Sequence, residues 1–141
     1  MQDDEIWVGY TQRDFPWCKA SINLPYSMDE ILLLTKAVTR AIDSALVVGD
    51  MPFLSYQTSI SDAVKNAGRF LKEGGASAVK LEGGKVVAKH INKIVGFGIP
   101  VMGHVGLLPQ SSNSFRLKGT KKTEEREIFT DICRENNILT I

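Results

Sequence analysis

The sequence predicts an α/β fold of parallel strands joined by crossover helices, and three observations carry that expectation. Short valine-rich apolar runs alternate with stretches whose apolar residues recur at helical spacing. The runs are continuous, as in strands buried on both faces of a parallel sheet. Capping and breaking residues bound the helical stretches, so helix and strand follow one another through the patterned part of the chain.

Residues 1–23 carry little pattern and read as irregular structure. The first helix opens at Ser27, a capping residue, with Glu30 three positions on to close a capping box. Ile31, Leu34, Val38 and Ala41 or Ile42 form its core-facing stripe. Residues 45–50 are the first clear strand. Ser59 starts a second helix with Ile60, Ala63, Val64, Ala67 and Leu71 on one side, and Gly74-Gly75 stops it. Residues 76–81 are the second strand. Val87, Ile91, Ile94 and Val95 mark a third helix, ended by Gly96 or Gly98. Residues 99–103 are the third strand, with Pro100 tolerable near its start. A polar loop over 108–122, a fourth helix from Thr123 with Ile128, Ile132 and Cys133 inward, and the beginning of a fourth strand at 138–141 complete the pattern. Two closures fit: a doubly wound sheet or a (β/α) barrel. A whole barrel takes about 250 residues, so these 141 hold about half of one. No Gly-x-Gly-x-x-Gly follows a strand, so a dinucleotide site has no support.

Composition narrows the function classes. Seventeen basic against sixteen acidic residues leave a formal charge of +1, which argues against a nucleic-acid or acidic-membrane binder held by bulk charge. No apolar run approaches the ~20 residues of a membrane helix. Cys18 and Cys133 suggest neither a disulfide scaffold nor a zinc site and fit a reducing compartment. The acidic start Met1-Gln2-Asp3-Asp4-Glu5 is unlike a transit peptide, so the cytoplasm is the default location, with mitochondria the alternative for a eukaryotic source.

In both parallel architectures chemistry collects at the carboxyl ends of strands. Asp50, Lys80, Glu82 and His104 fall there, on one side of one sheet. Asp50 and Glu82 are hard oxygen donors suited to Mg²⁺. Lys80 and Glu82, two apart on a strand, point the same way. A buried charged pair is costly unless it is paired or bound to something charged, which suits a cation on the carboxylates and an anionic substrate on Lys80. Blander readings stand beside these: Asp50 as a turn cap before Pro52, Lys80 with Glu82 as a solvated edge pair, His104 as a hydrogen-bonded loop residue, Gly83-Gly84 as a simple turn, and Met51 and Met102 as core filler.

Longer strings carry more weight. Val48-Gly49-Asp50-Met51-Pro52-Phe53 with Ser55-Tyr56 resembles a metal-site strand of the ketopantoate hydroxymethyltransferase family. Phe70-Leu71-Lys72-Glu73-Gly74-Gly75-Ala76 and Ala78-Val79-Lys80-Leu81-Glu82-Gly83-Gly84 are similar to the family's next unit, and residues 98–107 with Pro109-Gln110-Ser111 to the one after. The resemblance covers roughly 24–135. It implies a (β/α)8 TIM barrel that assembles as a homo-oligomer. It also implies hydroxymethyl transfer from the co-substrate 5,10-methylenetetrahydrofolate to 3-methyl-2-oxobutanoate, giving ketopantoate for pantothenate and coenzyme A synthesis. By the same resemblance Asp50 and Glu82 belong to a Mg²⁺ site, while Asp50, Lys80 and His104 contact the keto acid.

The chain also departs from the family. The family's earlier Gly-Asp-Ser strand has no counterpart string before residue 24, and its catalytic glutamate would lie beyond Ile141. The expected organisation is therefore a divergent segment over 1–23 and a partial barrel domain over 24–141, roughly the middle half of the barrel, with no catalytic base of its own. The alternative is an inactive fragment of this family acting only as an interaction remnant.

Overall fold

The computed structural model describes residues 5–8, 26–104 and 139–140. Among them, β1 (Glu5–Val8), β2 (Leu46–Asp50), β3 (Ala78–Glu82), β4 (Val101–His104) and β5 (Leu139–Thr140) form one sheet in the order β1-β2-β3-β4-β5, every neighbouring pair parallel. The connections carry α1 (Met28–Ala41) before β2, α2 (Ile60–Lys72) before β3, and α3 (Ala88–Gly96) before β4. The strand order does not reverse among these elements, so the switch point that defines a doubly wound sheet is missing from them.

Local chemistry accounts for the helix starts. The Ser27 hydroxyl accepts from the Glu30 N–H at 3.3 Å, and the Glu30 carboxylate accepts from the Ser27 N–H at 2.8 Å, completing the expected capping box. The Ser27 N–H, together with the Ser27 hydroxyl donating at 2.7 Å, holds the Glu30 carboxyl below its usual value. Ser59 caps α2 by accepting from the Asp62 N–H at 3.0 Å. Gly83 and Gly84 sit at φ 131° and 58°, a turn that side chains resist, and lead through a single 3₁₀ turn (Gly84–Val87) into α3.

Strand alternation gives the sheet two faces. One packs against all three helices. Its cluster joins Ile31 and Leu32 of α1, Ala63, Ala67 and Phe70 of α2, and Ile91 and Ile94 of α3 to Val79, Leu81 and Val101. The other face carries a separate cluster of Val48, Ala78 and Met102, with Leu46 against it. Met51 and Met102 are buried filler, as the sequence suggests.

Several expectations need correction. Residues 5–8, within the stretch that reads as irregular, form β1 and pair with Leu46–Gly49; four residues are too few to show a period, and the partner strand decides the state. The α1 stripe is wider than expected: Ile31 is buried and Leu34 packs half-buried against the core, but Leu32 and Thr35 are buried as well, and at its end Ile42 is half-buried while Ala41 is exposed. Thr35 tolerates burial because its hydroxyl donates to the Ile31 carbonyl at 2.7 Å. In α2 the large buried residue is Phe70, while Ile60 lies at the exposed first turn. The loop over 108–122 and the fourth helix lie outside the described residues, as do Cys18 and Cys133.

Candidate active site

Register places the four strand-end residues side by side. Asp50 is paired with Lys80 across β2 and β3, and Glu82 with His104 across β3 and β4. Asp50 follows Val48 by two, Lys80 and Glu82 follow Ala78 by two and four, and His104 follows Met102 by two. All four therefore share the face that, among the described residues, α1, α2 and α3 do not cover. The bland reading of Lys80 and Glu82 as a solvated edge pair fails, because β3 is interior to the sheet and the Glu82 side chain is only 3% exposed.

The Lys80 ammonium donates to Asp50 Oδ2 at 2.8 Å, with side chains 13% and 8% exposed. The His104 Nδ1 lies 3.8 Å from Glu82 Oε2, too far for a hydrogen bond, and is buried without a hydrogen-bond partner among the described residues. Burial holds the His104 imidazole below its ordinary value, the Lys80 ammonium pushes the same way, and Asp50 partly opposes them. Around neutral pH the ring is thus an uncharged neighbour of Glu82. His90, on α3, also has a buried Nδ1 without a partner among the described residues and does not belong to this cluster.

Two carboxylates against one ammonium leave the cluster with a formal charge of −1 in a largely buried setting, which favours a bound cation. No group of three or more His, Cys, Asp or Glu side chains assembles a metal cage among the described residues. Mg²⁺ does not need one: it is held by one or two carboxylates and completes its shell with water and substrate oxygens. Asp50 and Glu82 fit that requirement.

Sequence reasoning gave no role to Tyr56. It is fully buried, and its hydroxyl donates to the Glu82 carbonyl at 3.0 Å and accepts from the Glu82 N–H at 3.2 Å. Its loop is fixed by a turn in which the Ser55 N–H bonds the Pro52 carbonyl at 3.1 Å, and by the Asn66 side-chain amide, which donates to the Ser55 carbonyl at 2.6 Å. A lone tyrosine in an irregular connection gives no periodic signal that would single it out.

A family profile described as ketopantoate hydroxymethyltransferase matches residues 17–137. The 3-methyl-2-oxobutanoate hydroxymethyltransferase of Moorella thermoacetica is 56% identical over 114 residues, covering 79% of this chain and 42% of the relative. The protein of the same name from Clostridioides difficile is 56% identical over 111 residues, covering 77% and 40%. That from Clostridium beijerinckii is 53% identical, with the same coverage. The chain spans about two fifths of the length of the curated relatives it matches. With most of its length inside the profile, the chain belongs to the ketopantoate hydroxymethyltransferase family.

Proposed function

We propose that this site serves the transfer of a hydroxymethyl group from 5,10-methylenetetrahydrofolate to 3-methyl-2-oxobutanoate, giving ketopantoate for pantothenate synthesis. The described sheet is read as part of a (β/α)8 barrel that works as a homo-oligomer in the cytoplasm. One observation carries the proposal: Asp50, Lys80, Glu82 and His104 meet at the carboxyl ends of three adjacent parallel strands, on the face opposite α1, α2 and α3.

Roles follow from the chemistry of each group. Asp50 and Glu82 would hold Mg²⁺, which when bound supplies Lewis-acid polarisation of the keto acid's oxygens. Lys80, already oriented by Asp50, takes the substrate carboxylate as a point charge. His104, uncharged beside Glu82, contacts the substrate through a ring that can donate or accept. Asp50 and Glu82 are buried and Lys80 and His104 half-buried, so water screens these interactions less than at an open surface. In the overall exchange the keto acid's branched carbon gives up its proton and bonds to the folate's methylene carbon. Water supplies the hydroxyl oxygen as tetrahydrofolate leaves.

The test is a transplant. Residues 27–104 replace the matching stretch of the Moorella thermoacetica relative, and ketopantoate formation is followed with both substrates and Mg²⁺. Turnover is expected, and Asp50→Asn in the transplant should reduce it by at least ~10²-fold. A folded transplant without turnover, or one indifferent to Asp50→Asn, overturns the reading.

A further inference from the structure

The pairing of β2 with β3 ends at Asp50 and Lys80, with the Met51 N–H reaching the Lys80 carbonyl at 3.1 Å as its last rung. Pro52 then turns the chain away. Glu82 lies two residues beyond Lys80. In a strand the N–H and C=O of one residue point to the same side, so the β2-facing edge of Glu82 presents both groups where β2 has left the ladder. The Tyr56 hydroxyl occupies that place. It gives its proton to the Glu82 carbonyl and takes the Glu82 N–H on a lone pair, so one oxygen serves both backbone groups.

The ring behind this hydroxyl sits in the helix-side core, in one cluster with Met51, Leu81 and Val87. Burial pushes the phenol well above its usual value, so it remains a donor. The backbone of Glu82 is thereby pinned from the β2 side, while β4 pairs with it from the other. Its carboxylate leaves that fixed backbone beside His104.

We propose that Tyr56 is a positioning residue, whose hydroxyl replaces the missing end of β2 and so presents the Glu82 carboxylate to the site as a fixed oxygen donor for a divalent cation. This rests on the reading of Glu82 as a cation-binding group and adds to it the device that holds Glu82 in place. Tyr56→Phe keeps the ring and deletes the clamp. It leaves two backbone groups of Glu82 without this hydroxyl, and groups that orient metal-binding residues typically alter affinity by ~10–100-fold.

The experiment uses the full chain, with Mn²⁺ as probe, its free concentration read by electron paramagnetic resonance, and amide hydrogen exchange read by NMR. Tyr56→Phe should weaken Mn²⁺ binding about 10-fold or more and speed exchange of the Glu82 amide relative to that of Val79. Ile91→Val, a core change in α3 away from the site, should lower stability without weakening Mn²⁺ binding. An unchanged Glu82 amide in Tyr56→Phe refutes the clamp. Wild-type Mn²⁺ affinity in Tyr56→Phe, with affinity lost in Glu82→Gln, refutes the positioning role alone. Mn²⁺ affinity that is the same in wild type, Asp50→Asn and Glu82→Gln overturns the cation reading, and the proposal with it. Should Tyr56→Phe not fold, the wild-type chain decides: a slowly exchanging Tyr56 hydroxyl proton close to the Glu82 amide is expected, and its absence overturns the proposal.

Discussion

Gly49 is the position where the smallest substitution should cost the most. It lies on β2 between Val48 and Asp50, its backbone is not in the left-handed region, and an alanine there meets no conformational objection. The objection is space. A Cβ on Gly49 would stand 2.3 Å from Cδ1 and 2.7 Å from Cε1 of Phe70. That is about 1.2 Å inside the ~3.5 Å at which carbon atoms come to rest. Phe70 cannot yield cheaply: its ring is buried among the helices, and its carbonyl accepts the Ala76 N–H at 3.0 Å at the end of α2. Either α2 lifts off the sheet or the ring leaves its rotamer. Overpacking of this kind costs about 2–3 kcal/mol, or roughly 6–12 °C in Tm for a chain of this length. The displacement also falls on the residue before Asp50, so the Lys80–Asp50 contact should loosen with it. Urea unfolding of Gly49→Ala, Phe70→Leu and the double variant forms the assay. Phe70→Leu alone costs about 1 kcal/mol, and the double variant should recover at least about 1 kcal/mol of the sum. A Gly49→Ala loss below about 0.5 kcal/mol, or strict additivity, would refute the packing argument.

Three further outcomes are expected. Lys80→Met removes the 2.8 Å partner of a buried carboxylate and should lower stability by about 1–3 kcal/mol, with most of it restored by Asp50→Asn in the same chain; additivity in that cycle would show the pair to be uncoupled. His104 has a folded-state value below its unfolded one, so its contribution is fully present above about pH 6.5 and is lost as pH falls through the lowered value. Stability measured from pH 8 to 5 should decline across that window and flatten in His104→Gln, and equal slopes would count against the burial argument. Leu54 is exposed and sits at φ 64°, a conformation that asparagine adopts more readily, so Leu54→Asn should stabilise the chain by up to about 1 kcal/mol in thermal melts, and a loss of stability would mean that the side chain packs in a way its exposure does not reveal.

The legible parts were those governed by short-range chemistry. Ser27 and Glu30 announce a helix start because both capping bonds close within four residues. The valine-rich runs announce β2, β3 and β4, and the strand-end rule then points to Asp50, Lys80, Glu82 and His104 without any knowledge of register. What escaped depends on distant partners. β1 exists because β2 offers it a ladder, and nothing within Glu5–Val8 encodes that. The choice of Phe70 over Ile60 as the large core residue of α2 follows from the groove above Gly49, and Thr35 enters the core through a bond to its own helix. Tyr56 belongs to a string that resembles the family, yet its task emerges only when Glu82, twenty-six positions later, is laid beside it.

The parallel register has a consequence for how this protein would respond to a ligand. Asp50 and Lys80 are thirty positions apart and become neighbours only when β2 and β3 align, and Glu82 meets His104 only when β4 joins them. No short peptide cut from the chain contains the site. A small molecule gripping all four side chains would therefore work like a bolt driven through three planks: it could not be held by a partly assembled sheet. Its binding energy would be drawn against opening of the whole body. Slower exchange should then appear in amides of α2 and α3, on the opposite face, that the ligand never touches.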